Sequence, residues 1–177
     1  MCRKLEGSMK HQLKLAAIAA TLVTAPLASQ AATETDTFDV KLNVIGSCEI
    51  NSATDMDFGS LTQAEVNAGG ESATSSIGVT CSTGTTYTIA LSGDNSSREM
   101  TSANNSSVDY QLFQPDGTTA WDSTTTVGGT GDGNQQDYTV NGNIPAQTMT
   151  LDTGDDAAYA SSTGVDLSDT VTVTLTF

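Results

Sequence analysis

Basic residues are scarce in this chain of 177 residues, which has six lysines and arginines against 21 aspartates and glutamates. Four of the six lie within residues 1–31, so that only Lys41 and Arg98 follow and residues 32–177 carry a net charge of −18. Proteins bind nucleic acids and anionic membranes through clustered Lys and Arg. We therefore expect neither as a partner, and we expect the acidity to keep folded copies soluble and apart.

Histidine is almost absent as well, because His11 is the only one and lies within residues 1–31. Without an imidazole the rest of the chain cannot build a Ser-His-Asp triad, a Cys-His pair or a typical zinc site. Neighbouring carboxylates such as Asp155 and Asp156 would suit a glycosidase, but pairs are expected by chance in so acidic a chain. The sequence predicts a protein that is not an enzyme and has no cofactor; calcium binding by the loop 152–156 stays open.

Long hydrophobic runs are limited to one, Leu15–Leu27, near the beginning of the chain. Lys10 and Lys14 precede it, and the small-x-small triplet 29–31 follows it, which is typical of a secretory signal. The run is too short and too often interrupted for a membrane-spanning helix. We expect residues 1–31 to be a leader that is removed on export, with no membrane insertion afterwards.

Cysteines number three, and removal of the leader with Cys2 would leave Cys48 and Cys81. An exported protein enters an oxidising compartment, where these two can pair. A disulfide that closes the loop between Cys48 and Cys81 stabilises a protein by roughly 3 to 4 kcal/mol. The predicted role of the pair is a structural disulfide.

Helical periodicity is missing after the leader, and short segments instead alternate apolar and polar residues, which is typical of strands with one buried face. Turn-rich pieces separate them, including residues 127–134, which we expect to be a flexible surface loop. The pattern predicts an all-β protein, an antiparallel β-sandwich of one domain. The alternating segments are Phe38–Val44, Ile77–Cys81, Tyr87–Leu91, Val108–Leu112, Met149–Leu151 and Val171–Phe177.

Two of these segments lie near the ends of the chain and alternate without a fault: Phe38–Val44 and Val171–Phe177. From the pattern alone both would be ordinary strands of a closed sandwich. A further set of short motifs occurs between them in a fixed order: Met56-Asp57-Phe58-Gly59, Ile77-Gly78-Val79-Thr80-Cys81, Tyr110-Gln111-Leu112-Phe113 leading to Trp121, and Asn141-Gly142-Asn143-Ile144-Pro145-Ala146-Gln147.

In this ordered combination the chain resembles the spore coat protein U domain, the subunit type of archaic chaperone-usher pili. The resemblance implies an immunoglobulin-like sandwich that lacks its final strand and is completed by donor-strand exchange. The partners it implies are neighbouring pilin subunits, a periplasmic chaperone and an outer-membrane usher, and the location is the cell surface after passage through the periplasm. The function would be surface adhesion and biofilm formation.

The resemblance also assigns roles to residues. The donor strand would insert Phe38, Val40, Leu42 and Val44 into a neighbour, and the C-terminal strand with Val171, Val173, Leu175 and Phe177 would face the chaperone. We therefore expect a leader over residues 1–31, a donor segment over 32–45 and a pilin domain over 46–177. Whether the subunit is a major or a minor one stays open.

The alternative is a secreted or surface β-sandwich that binds a carbohydrate or another surface ligand. Exposed Tyr87, Trp121 or Tyr138 would then stack on sugar rings. The low aromatic content of 5% argues against a dedicated lectin face.

Overall fold

The computed structural model describes residues 32–161 and 163–177. The chain divides into two units, one that ends at Leu42 and one that comprises Asn43–Phe177. The predicted leader lies outside the described residues. No helix of the described part is long and apolar enough to cross a membrane.

Within the described residues, the second unit contains nine strands and two short helices. The strands are β1 (Cys48–Ala53), β2 (Glu71–Cys81), β3 (Thr86–Leu91), β4 (Glu99–Thr101), β5 (Ser107–Asp109), β6 (Gln111–Phe113), β7 (Val127–Thr130), β8 (Gln135–Ile144) and β9 (Val173–Thr176). The helices are α1 (Gln63–Ala68) and α2 (Asp156–Tyr159).

All strand pairs are antiparallel. The first sheet has the strand order β1-β2-β8-β6, the second has β7-β3-β9, and β4 pairs with β5. The arrangement is that of an immunoglobulin-like antiparallel β-sandwich. The predicted all-β fold class is confirmed.

The core lies between the two main sheets, because alternate residues of β2 and β3 point inward. Ile77, Val79, Ile89 and Leu91 are almost fully buried. Trp121 is completely buried, and its indole N–H donates a hydrogen bond to the carbonyl of Ile89 at 2.9 Å. The indole nitrogen of Trp121, the largest fully buried side chain, thus has its hydrogen-bond partner on β3.

Three sequence expectations need correction. Val108–Leu112 is not one strand, because the chain changes its pairing partner at Tyr110 while the buried alternation continues. Met149–Leu151 forms only an isolated bridge from Thr150 to Ser107. Residues 127–134 are not wholly a loop, since β7 pairs with β3 there.

Candidate functional site

An open groove of about 400 Å³, lined by both apolar and polar residues, lies between an edge of each main sheet. On one side are the end of β1 and the chain that follows it, and on the other is the segment that leads into β9. The apolar side chains lining the groove are Ala53, Met56, Phe58, Ile77, Leu91, Met100, Tyr110, Leu112, Val140, Leu167, Val171 and Val173.

A tight turn after β1 builds the first wall. The carboxylate of Asp57 accepts a hydrogen bond from the N–H of Gly59 at 2.7 Å, and Gly59 has a positive φ of 74° that favours glycine. Met56 and Phe58 come to lie over Gly142 of β8, where a Cβ would be 3.0 Å from the Phe58 ring. Gly142 therefore makes room for this wall.

The opposite wall is fixed by backbone contacts on either side of Asp169. Ser168 and Thr101 exchange two backbone hydrogen bonds of 3.0 and 3.1 Å. The N–H of Thr172 donates to the Ser92 hydroxyl at 2.8 Å. These contacts hold Leu167 and Val171 in the groove lining.

Polar residues also line the groove, among them Thr54, Asp55, Ser75 and a hydrogen-bonded pair, Tyr110 and Asp169. The Tyr110 hydroxyl donates a hydrogen bond to Asp169 at 2.5 Å. Burial, followed by this bond to a carboxylate, raises the pKa of Tyr110 to about 12. Arg98 is buried nearby and donates to the carbonyl of Trp121 at 3.2 Å. Tyr110 is therefore a neutral hydrogen-bond donor at physiological pH.

Strand β9 forms an edge of its sheet. Among the described residues it pairs with β3 alone, and Val173 and Leu175 oppose Leu91 and Ile89. Val171 and Phe177 lie just outside the paired range, and Phe177 is exposed. A sheet edge with unpaired backbone groups beside an apolar groove is a template for an added strand.

The predicted donor segment exposes its apolar side chains to solvent. Phe38, Val40, Leu42 and Val44 are each at least 80% exposed. Residues 32–47 are assigned to no strand. At an outward position of the alternation, Lys41 forms an exposed ion pair with Asp39 at 3.2 Å.

The disulfide prediction is confirmed, because Cys48 and Cys81 are bonded. The two residues are directly opposite each other on β1 and β2. The bond thus ties edge strand β1 to the central part of its sheet.

The aromatic residues named for sugar binding are not available for stacking. Tyr87 and Trp121 are buried, so the expectation that they are exposed is wrong. Tyr138 is half-buried, and its hydroxyl lies 2.8 Å from that of Tyr87. Both tyrosines serve the contact between the two sheets.

Asp155 is committed to hydrogen bonds within the protein. Its carboxylate accepts bonds from the hydroxyls of Ser102 and Ser106 at 2.5 and 2.6 Å and from the amide of Asn104 at 2.7 Å. These donors, with Ser102 the largest effect, lower the pKa of Asp155. Within the described residues no group of three or more His, Cys, Asp or Glu is placed to hold a metal ion.

Several groove residues were missed by the sequence reasoning. Met100 and Leu167 lie in short or irregular segments without a period of two, and no pattern marked them. Met56 and Phe58 do alternate, and reading them as two inward residues after a strand would have placed them in the site.

Residues 34–174 match the family model of the Spore Coat Protein U domain. The chain belongs to the spore coat protein U domain family. The resemblance drawn from the ordered motifs is thereby confirmed over most of the chain. A search of the curated proteins gives no match.

Among solved structures the chain is similar to one in the crystal structure of the CsuC–CsuE chaperone–tip adhesion subunit pre-assembly complex from archaic chaperone-usher Csu pili of Acinetobacter baumannii. The identity is 22% and the TM-score 0.49, and the match covers 76% of this chain. This spore coat protein U domain chain spans 40% of the length of that chain.

Proposed function

We propose that the chain is a structural subunit of a chaperone-usher pilus that polymerises by donating residues 38–44 to a neighbouring subunit. The observation that carries the proposal is the match between an exposed alternating segment and an open apolar groove beside an unpaired sheet edge. Backbone hydrogen bonds to β9 would give affinity, and alternating side chains would give register.

The dimensions of the two parts agree. An extended segment from Phe38 to Val44 measures roughly 20 Å at about 3.3 Å per residue. The stretch from Asp169 to Leu175 has the same number of residues and offers Val171, Val173 and Leu175 on the inner side. Four donor side chains can therefore lie along this wall.

Burial of the donor side chains supplies the driving force. Full burial of a large apolar side chain stabilises by roughly 1.5 to 3 kcal/mol, so Phe38, Val40, Leu42 and Val44 together contribute about 6 to 12 kcal/mol before ordering costs. The same exposed surface explains why a free subunit would need a chaperone.

The assembled protein would function at the cell surface in adhesion and biofilm formation. Before assembly a periplasmic chaperone would cover the groove along Val171, Val173, Leu175 and Phe177, and an outer-membrane usher would exchange it for the next donor strand. The subunit would have a structural role and no enzymatic one; residues 32–177 contain no histidine for a Ser-His-Asp triad or a Cys-His pair.

Leu42→Asp tests the proposal against its matched control Asn43→Asp. Both variants add one carboxylate to the same segment, but only the first would place it in the groove, where an unpaired charge is strongly unfavourable. The full chain is expressed with its chaperone and usher, and polymers are examined on a non-reducing gel without boiling. Wild type and Asn43→Asp are expected to give a ladder, and Leu42→Asp only the monomer.

Deletion of residues 33–45 should also abolish the ladder while leaving a chaperone-bound subunit. A stable, monodisperse wild-type monomer that never polymerises would refute the proposal. So would a Leu42→Asp ladder as long as that of Asn43→Asp.

A further inference from the structure

The outward side of the second sheet is a surface of threonines. In an antiparallel sheet, alternate residues share a face, and here Thr88 is opposite Thr176 and Thr86 is opposite Thr130. Ala90 and Gly128 are the other outward residues of β3 and β7. We call this surface the threonine face, and it consists of Thr86, Thr88, Thr130, Thr172, Thr174 and Thr176, all of them exposed.

The threonine face is uncharged in a protein that is otherwise strongly acidic. None of the outward positions of β3, β7 and β9, all of which the structure describes, carries a charge. The outer side of the first sheet differs, because Glu49 on β1 and Asp137 on β8 are exposed there. Contacts between copies through acidic surfaces bring carboxylates together, whereas contact through the threonine face does not.

The donor segment would extend this face without charging it. If residues 38–44 add to the sheet beside β9, the outward positions are Thr37, Asp39, Lys41 and Asn43. Asp39 and Lys41 form an ion pair, so their charges cancel. The placement of Lys41, the only exposed cation of residues 32–161 and 163–177, is thereby explained.

We propose that the threonine face is a lateral contact surface that binds the threonine face of a second copy of this chain in an adjacent fibre. Each hydroxyl both donates and accepts hydrogen bonds, so the surface can complement itself about a two-fold axis. A single contact is weak, and repetition along two fibres multiplies it. The inference rests on the proposed fibre for this repetition and on the described sheet for the surface.

Two carboxylates placed on the face provide the test. Fibres are prepared from wild type, from the double variant Thr88→Glu and Thr130→Glu, whose residues lie on β3 and β7 away from the strand that pairs with the donor, and from a control with Thr74→Glu and Thr139→Glu. The control residues are exposed on strands of the first sheet and add the same charge. Polymerisation is followed on unboiled gels, and bundling by low-speed sedimentation and negative-stain electron microscopy.

All three proteins are expected to give the same ladder. The threonine-face variant should lose the repeated lateral contacts between fibres. The fraction of its fibres that sediments at low speed should fall by about five-fold or more, whereas the control should stay near wild type. Equal sedimentation of all three, or an equal fall in both variants, would overturn the inference.

A second measurement separates this inference from the proposed function. Beads coated densely with the full chain carrying Leu42→Asp, held in complex with its chaperone so that the groove is covered, should cluster through the threonine face without any strand exchange. Addition of Thr88→Glu and Thr130→Glu should abolish clustering, and addition of Thr74→Glu and Thr139→Glu should not. Absence of clustering with the Leu42→Asp chain would refute the lateral contact, whether or not wild type forms a ladder.

Discussion

Asp155 joins two loops through a single carboxylate. The hydroxyl and amide donors that it accepts from are 49 to 53 residues away in the chain, at Ser102, Asn104 and Ser106. Hydrogen bonds to the ionised carboxylate favour the charged form and so lower its pKa. The loop 102–106 and the start of α2 are held together as a result.

Asp155→Asn is expected to lower the melting temperature at neutral pH by several degrees. Because the pKa of Asp155 is lowered in the folded protein, its stabilising effect is present above the ordinary value of 3.8 and is lost as the pH falls through the folded pKa. Thermal melts between about pH 7 and about pH 2 should therefore show wild type and variant converging in acid. Asp156→Asn, an exposed neighbour with the same change of charge, should melt like wild type; a constant difference down to the lowest pH would contradict this account.

The role of Asp155 could not be predicted from the sequence. The loop 152–156 shows several acids at close spacing, which left calcium open as a ligand. Only the long-range approach of Ser102 and Ser106 to Oδ2, and of Asn104 to Oδ1, reveals that protein donors already occupy both carboxylate oxygens. Cys48 and Cys81 were predictable because, without Cys2, no other pairing was available.

Strand β7 depends on a glycine that the sequence presents as part of a loop. Gly129 faces inward, and a Cβ there would lie 2.5 Å from the Tyr138 hydroxyl and 2.6 Å from the Tyr87 ring. Gly128 faces outward, with its nearest neighbour at 3.5 Å. The two glycines are adjacent in sequence and opposite in their surroundings.

Gly129→Ala is expected to reduce the free energy of unfolding by about 1 to 3 kcal/mol, because the new methyl group overpacks the tyrosine contact between the sheets. Gly128→Ala should change it by less than about 0.5 kcal/mol. Chemical denaturation of both variants provides the measurement. Equal stability of the two would show that the tyrosines move aside freely.

Elements with clean alternation were predicted best. Tyr87–Leu91 lies within β3, and Val171–Phe177 contains β9. Strand β8 was not predicted as a strand, because its inward residues include Gln136 and Gly142 and break the apolar period. The groove itself was implied by the family resemblance and not by periodicity, since a missing strand leaves no pattern in the chain that lacks it.

At the scale of the whole molecule the disulfide constrains a domain with an open groove. Cys48 and Cys81 are 33 residues apart, and the bond fixes edge strand β1. In the chain-entropy description such a bond disfavours the unfolded state by limiting its freedom. The second unit therefore gains stability without filling the groove.

Replacing both Cys48 and Cys81 by serine should lower the free energy of unfolding by roughly 3 to 4 kcal/mol. The neighbouring pair Ser47 and Ser82 serves as the control: the backbone N–H of Ser47 donates to the Ser82 hydroxyl at 3.1 Å, and the double alanine variant should lose about 1 kcal/mol. Urea denaturation of the oxidised proteins measures both. Indistinguishable stability of the cysteine variant and wild type would contradict the assigned role.

The scarcity of basic residues has a consequence for proteolysis. A protease that cleaves after lysine or arginine finds only Lys41 and Arg98 in residues 32–177, and Arg98 is buried. In the folded subunit the accessible bond follows Lys41, within the segment proposed to link one subunit to the next. A strand seated in a groove would shield that bond, so trypsin would distinguish a free subunit from one held in a fibre.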